Sequence, residues 1–102
     1  MRIISEKRLR EFCQATKGAE RVMRESAMRE WIRTVKGANW KTFADVRKTF
    51  NRADVYCSCT VFDVGGNKYR IIGKVAYRKQ AVFIRFVLTH KEYDENRWKA
   101  DC

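Results

Sequence analysis

Along the first third of the chain apolar residues recur at the three-to-four spacing of helices, and beyond Asp54 they crowd into short β-branched and aromatic runs. Met1 to Ile4 reads as a short edge strand. Ser5 stands as an N-cap candidate before Leu9, Phe12 and Cys13, which predicts a first helix ending before Gly18. Between Ala19 and Lys36 a second helix is expected, with Val22, Met23, Ala27, Trp31, Ile32 and Val35 on one stripe and Gly37 as its C-cap. Trp40, Phe43, Val46 and Phe50 then fit a short helix within a connecting segment. Three strands follow, over Val55 to Val64, Lys68 to Arg78 and Ala81 to Thr89. Gly65-Gly66-Asn67 supplies the first turn, because these residues tolerate positive φ. Arg78-Lys79-Gln80 supplies the second, and His90 to Lys99 is left as a short helical tail. The expected fold is α+β in the order βααβββ, an N-terminal strand and two helices packed on an antiparallel meander.

A chain of 102 residues suits one domain spanning 1–102, and 45% hydrophobic residues can fill one small core. The longest apolar run, Ala81 to Ile84, is far short of the roughly 20 residues of a membrane span or the roughly 7 of a signal sequence, so neither insertion nor export is expected and the reading is cytoplasmic. Of the four cysteines, Cys57 and Cys59 stand two apart in a strand, Cys13 lies on a helix and Cys102 is the last residue. Reduced thiols are the expectation from that spacing.

Charge changes the picture more. Lys and Arg number 23 against 12 Asp and Glu, a net +11 spread over both halves of the chain, so the folded body itself should attract an acidic partner. Nucleic acid is the common one, since phosphates reward basic side chains through counterion release. Strand alternation sets Lys68, Arg70, Ile72, Lys74 and Arg78 on the face opposite Tyr69, Ile71, Val75 and Tyr77. On the last strand Val82, Ile84, Phe86 and Leu88 read as core, and Arg85 points the other way, beside Arg70 or Lys74. The expected result is an open basic sheet face with His90, the chain's single histidine, at its rim. An imidazole can take or give a proton at neutral pH, and Lys91 and Tyr93 follow closely enough to join it. The C-x-C pair with one histidine falls short of a zinc spacing, and no phosphate-binding glycine fingerprint occurs, so no metal or other cofactor is expected.

The run Val61-Phe62-Asp63-Val64-Gly65-Gly66-Asn67-Lys68-Tyr69-Arg70-Ile71-Ile72, followed by Val82 to Leu88 and Thr89-His90-Lys91-Glu92-Tyr93-Asp94, resembles HigB-type toxins of the RelE superfamily. Met1 to Ser5 and Trp40-Lys41 are similar to that family too. The resemblance implies a RelE-like fold and the toxin half of a type II toxin-antitoxin module. It further implies endonucleolytic cleavage of mRNA held on the ribosome, and inhibition by a HigA-like helix-turn-helix antitoxin. It assigns His90, Tyr93, Arg70 and Lys91 to the reaction and Lys68 and Arg85 to RNA binding, and Lys74, on the same strand face as Arg70, is read as a further RNA contact. Many relatives carry Asn where this chain has Asp63, so the resemblance also implies a changed approach for phosphates beside the turn. A non-catalytic RNA-binding module, or a docking surface for an acidic protein, explains the charge equally well.

Overall fold

In the computed structural model, which describes residues 1–102, the N-terminal strand β1 (Arg2–Ile4) leads into α1 (Glu6–Gln14), α2 (Gly18–Lys36) and α3 (Phe43–Thr49). Strands β2 (Asp54–Tyr56), β3 (Cys59–Val64), β4 (Tyr69–Ala76) and β5 (Ala81–Thr89) follow, and then α4 (His90–Asp94) and a 3₁₀ turn over Arg97–Asp101. The class is α+β, but the sheet is five-stranded and mixed, in the order β1-β5-β4-β3-β2, with β1 parallel to β5. The N-terminal strand, read as an edge strand, is one, and a single strand exceeds the expectation: Cys57, at φ 51°, and Ser58 turn the chain back after Tyr56 and split the expected Val55–Val64 strand into a hairpin.

The β3–β4 turn forms where expected, with Gly65, Gly66 and Asn67 all in the left-handed region at φ 66°, 62° and 78°. That tight connection pairs Val64 with Tyr69 and hence Asp63 with Arg70. Ser5 occupies the N-cap position of α1, yet at φ 75° its side chain makes no capping bond. Helix α2 buries Ala27, Met28, Trp31 and Val35, while Val22 and Met23, expected in its stripe, are exposed on the surface beside the β3–β4 turn. Trp31, Trp40, Phe50 and Phe62 interlock edge-to-face and stacked in this main core, with ring centroids 5.3–6.0 Å apart.

The second face of the sheet differs most from expectation. Ile72 pairs with Phe86 but Gly73 pairs with Ile84, so Arg85 is an extra residue in β5 and a β-bulge interrupts the alternation. Before the bulge Val82 and Ile84 face the main core. After it Val87 takes that side, and Phe86 and Leu88 turn to the opposite face. There they join Cys59, Val61 and Ile72, an apolar patch that cannot stay open to water. The C-terminal tail covers it: Trp98, 3% exposed, packs on the patch with Tyr93 and Tyr56 around it. The face expected to be open and basic is therefore largely a second small core. Arg85 lies beside neither Arg70, which pairs with Leu88, nor Lys74, which pairs with Phe83.

A disulfide between Cys59 and Cys102 fastens this tail, and Ser58 Oγ donates to the Cys102 carbonyl at 3.1 Å. This corrects the expectation of four reduced thiols: only Cys13, buried, and Cys57, exposed, are free. Spacing along the chain could not reveal the pair, because the two cysteines are 43 residues apart and meet only once the tail folds back. Closing a loop of that length removes unfolded-state entropy, so Cys102→Ser should lower unfolding free energy by about 2–4 kcal/mol. Denaturant midpoints of wild type and variant measure this, and equal midpoints without reductant would refute it.

Candidate active site

The hairpin register sets Arg70 directly across from Asp63, at the end of the sheet where the β5 chain leaves as α4. Arg70 is 8% exposed, and a buried guanidinium needs partners. Its Nη1 lies 3.4 Å from Asp63 Oδ1 and donates to the Asn67 and Tyr69 carbonyls at 3.1 Å each, while Nη2 donates to Asn67 Oδ1 at 2.6 Å. The plane also sits 4.9 Å from the centre of the Tyr93 ring, a cation–π distance. Tyr93 in turn stacks on Trp98, 5.2 Å between centroids and 11° between planes, and Trp98 Nε1 donates to the Tyr93 carbonyl at 3.0 Å. Asp63, Arg70, Tyr93 and Trp98 form one continuous stack. Arg70 is thus a buried, paired cation, where the sequence reading set it on an open basic face. Tyr93 likewise has its ring engaged with Arg70 and Trp98, which argues against it as a platform for a stacked base.

Burial, the largest cause, raises the Tyr93 phenol above its ordinary value, with the Arg70 charge opposing and Asp54, Asp94 and Asp63 reinforcing. At neutral pH the phenol is accordingly protonated. It can donate a proton or hydrogen bond, and it cannot serve as the base.

Helix α4 begins at the same place through a capping box. Thr89 Oγ1 accepts from Glu92 N at 3.2 Å, and Glu92 Oε1 accepts from Thr89 N at 2.9 Å. The box sets His90 at the first helical position, where its backbone N–H donates to the Lys68 carbonyl at 2.9 Å. The His90 ring is exposed, and Nδ1 lies 2.9 Å from Asp94 Oδ2 one turn on, while Nε2 has no hydrogen-bond partner in the protein. Lys68 and Lys91 are both exposed, and the Lys68 ammonium is directed to Met23 Sδ at 3.8 Å. One end of the β4–β5 pair therefore holds an oriented imidazole, a neutral phenol and a buried guanidinium, with Lys91 next to the imidazole in sequence.

Lys74 and Arg85 do not join this cluster. Lys74 lies four residues along β4 from Arg70, about 13 Å at strand rise. Arg85, at the bulge, lends its carbonyl to Arg8 Nη1 at 3.0 Å. Three members of the site escaped the sequence reading, Asn67, Asp94 and Trp98, and Asp63 was read only as a carboxylate beside the turn, without its pairing to Arg70. The spacing of His90 and Asp94 by one helical turn was a usable signal for Asp94.

The α+β fold is compatible with that of a RelE-like toxin, and the HigB toxin family, described as the RelE-like toxic component of a toxin-antitoxin system, matches residues 24–96. The chain belongs to that family. It is similar to the mRNA interferase toxin HigB of Escherichia coli K12 and to mRNA interferase HigB of Escherichia coli O157:H7 and of Shigella flexneri, each at 53% identity over 34 residues. That stretch spans 33% of this chain and 33% of each relative. No helix is long and apolar enough to cross a membrane.

Proposed function

We infer that this chain is the toxin of a type II toxin-antitoxin module and an endoribonuclease that cuts mRNA on the ribosome, in the cytoplasm. The observation that supports the reading is the placement of His90 and Tyr93 on the same turn of α4, with the Tyr93 ring over the Arg70 guanidinium and the His90 backbone tied to Lys68, within the family match. The relatives named mRNA interferase support the substrate.

In the reaction a ribose 2′-OH attacks the adjacent phosphate. A base must take the hydroxyl proton, cations must hold the charge that builds on the phosphorane, and an acid must protonate the leaving 5′-oxygen. His90, exposed and oriented by Asp94, is the group for proton transfer. Tyr93, held neutral, donates. Lys68 and Lys91 meet the phosphate oxygens directly, while Arg70 acts from beneath by holding the Tyr93 ring. Lys74 and Arg85, further along β4–β5, would extend contact with the RNA backbone. No step calls for a bound cofactor. The regulatory partner is a HigA-like helix-turn-helix antitoxin.

Induced expression should arrest growth, coexpression with the antitoxin should restore it, and message incubated on ribosomes with the pure protein in EDTA should acquire new 5′ ends. Tight RNA binding with no new ends would replace this reading by the non-catalytic RNA-binding module.

A further inference from the structure

Beside the stack, the segment Thr49–Arg52 at the end of α3 and the β3–β4 turn border an open polar cleft of about 330 Å³, room for one nucleobase. Its wall holds Asp63, whose side chain is only 11% exposed. Asp63 is not saturated. One oxygen faces Arg70 at 3.4 Å, and the other has only Arg52 Nη1 at 3.8 Å, on a side chain that is 71% exposed and free to swing. A carboxylate has about four acceptor positions, so an enclosed one with long contacts retains capacity for strong donors. The donors about it sit on Asn51 and Arg52 at the cleft's rim.

Bases differ in what they offer such a wall. Guanine presents two adjacent donors, N1–H and the 2-amino group, next to the acceptor O6. Adenine and cytosine pair one amino donor with a neighbouring ring acceptor, whose lone pair opposes a carboxylate. Uracil has one donor between two acceptors. Single-stranded RNA is ordinarily read in this way, on the Watson–Crick edge of a splayed base. We propose that the cleft between Thr49–Arg52 and the β3–β4 turn is a guanine-selective subsite, in which Asp63 accepts from N1–H and the 2-amino group and Arg52 donates to O6. The inference rests on the RNA-cleavage reading for its ligand. Through Asp63 and Arg70 the subsite adjoins Tyr93, so the base it holds belongs to a nucleotide next to the scissile phosphate.

Non-cleavable 2′-O-methyl tetranucleotides, identical except for guanosine, inosine or adenosine at one position, test this by fluorescence anisotropy. Inosine lacks only the 2-amino group. Wild type should bind the guanosine oligonucleotide about tenfold more tightly than the inosine one, the worth of one hydrogen bond to a charged acceptor, and adenosine more weakly again. Asp63→Asn, which turns a donor toward N1–H, should remove most of the guanosine advantage. Arg52→Ala, a change on the surface that leaves the fold intact, should weaken guanosine and inosine alike and adenosine less. Equal affinity for the three oligonucleotides in wild type, equal loss for all three in Arg52→Ala, or an undiminished guanosine advantage in Asp63→Asn would overturn the subsite. Guanosine-selective binding by a protein that leaves message intact rejects the nuclease reading alone; cleavage without selectivity rejects the subsite alone.

Discussion

His90→Ala is expected to cut RNA about 10²–10⁴-fold more slowly than wild type, the usual worth of a positioned acid or base. Stability should change by no more than about 0.5 kcal/mol, as for surface substitutions generally. The two expectations have separate structural grounds. The ring is exposed and its side-chain partner is Asp94, so its removal opens no cavity. Helix α4 is held at its start by the reciprocal bonds of Thr89 and Glu92, which the substitution leaves in place. A labelled oligoribonucleotide gives the rate and a urea titration gives the stability. Full activity in a folded variant would move proton transfer to another group.

Arg70→Ala should behave quite differently and destabilise the protein by about 3–5 kcal/mol, because it strands a carboxylate that is nine-tenths buried. It also takes away one neighbour of the Tyr93 ring and the hydrogen bonds that tether Asn67 in the turn. Loss of activity in this variant therefore reports on folding before chemistry. Replacing both members, as in Arg70→Leu with Asp63→Leu, should recover much of the stability, since apolar residues of similar volume remove the desolvation cost along with the pair. The double-mutant cycle measures the coupling directly. If Arg70→Ala unfolds at the wild-type urea concentration, the guanidinium is not the structural hub described above.

Local chemistry was the legible part of this sequence. Two glycines and an asparagine announce the β3–β4 turn because each adopts positive φ there, and α2 follows from apolar spacing with Gly37 at its end, while the tail was read only as a short helical stretch. Even the Asp63–Arg70 pair follows once that turn fixes the register. Features that depend on one residue of phase, or on meetings across the chain, were not legible. A single extra residue at Arg85 reversed the facing of Phe86 and Leu88 and so turned an expected basic surface into an apolar one that needed a cover. A glycine in mid-strand was the available warning: a Cβ on Gly73 would stand 2.7 Å from the Phe83 carbonyl oxygen, the close approach that a bulge creates. The cover itself, Trp98 under a Cys59–Cys102 clasp, joins segments that no local pattern links.

The chemistry of the severed ends tests the nuclease account most directly. A 5′-labelled and a 3′-labelled RNA are incubated with the protein in excess EDTA, and the termini are identified by mass. Attack by the neighbouring 2′-OH predicts a 2′,3′-cyclic phosphate on one fragment and a 5′-hydroxyl on the other, both lost in His90→Ala. Fragments bearing a 5′-phosphate and a 3′-hydroxyl, or cleavage undiminished without the imidazole, would contradict it.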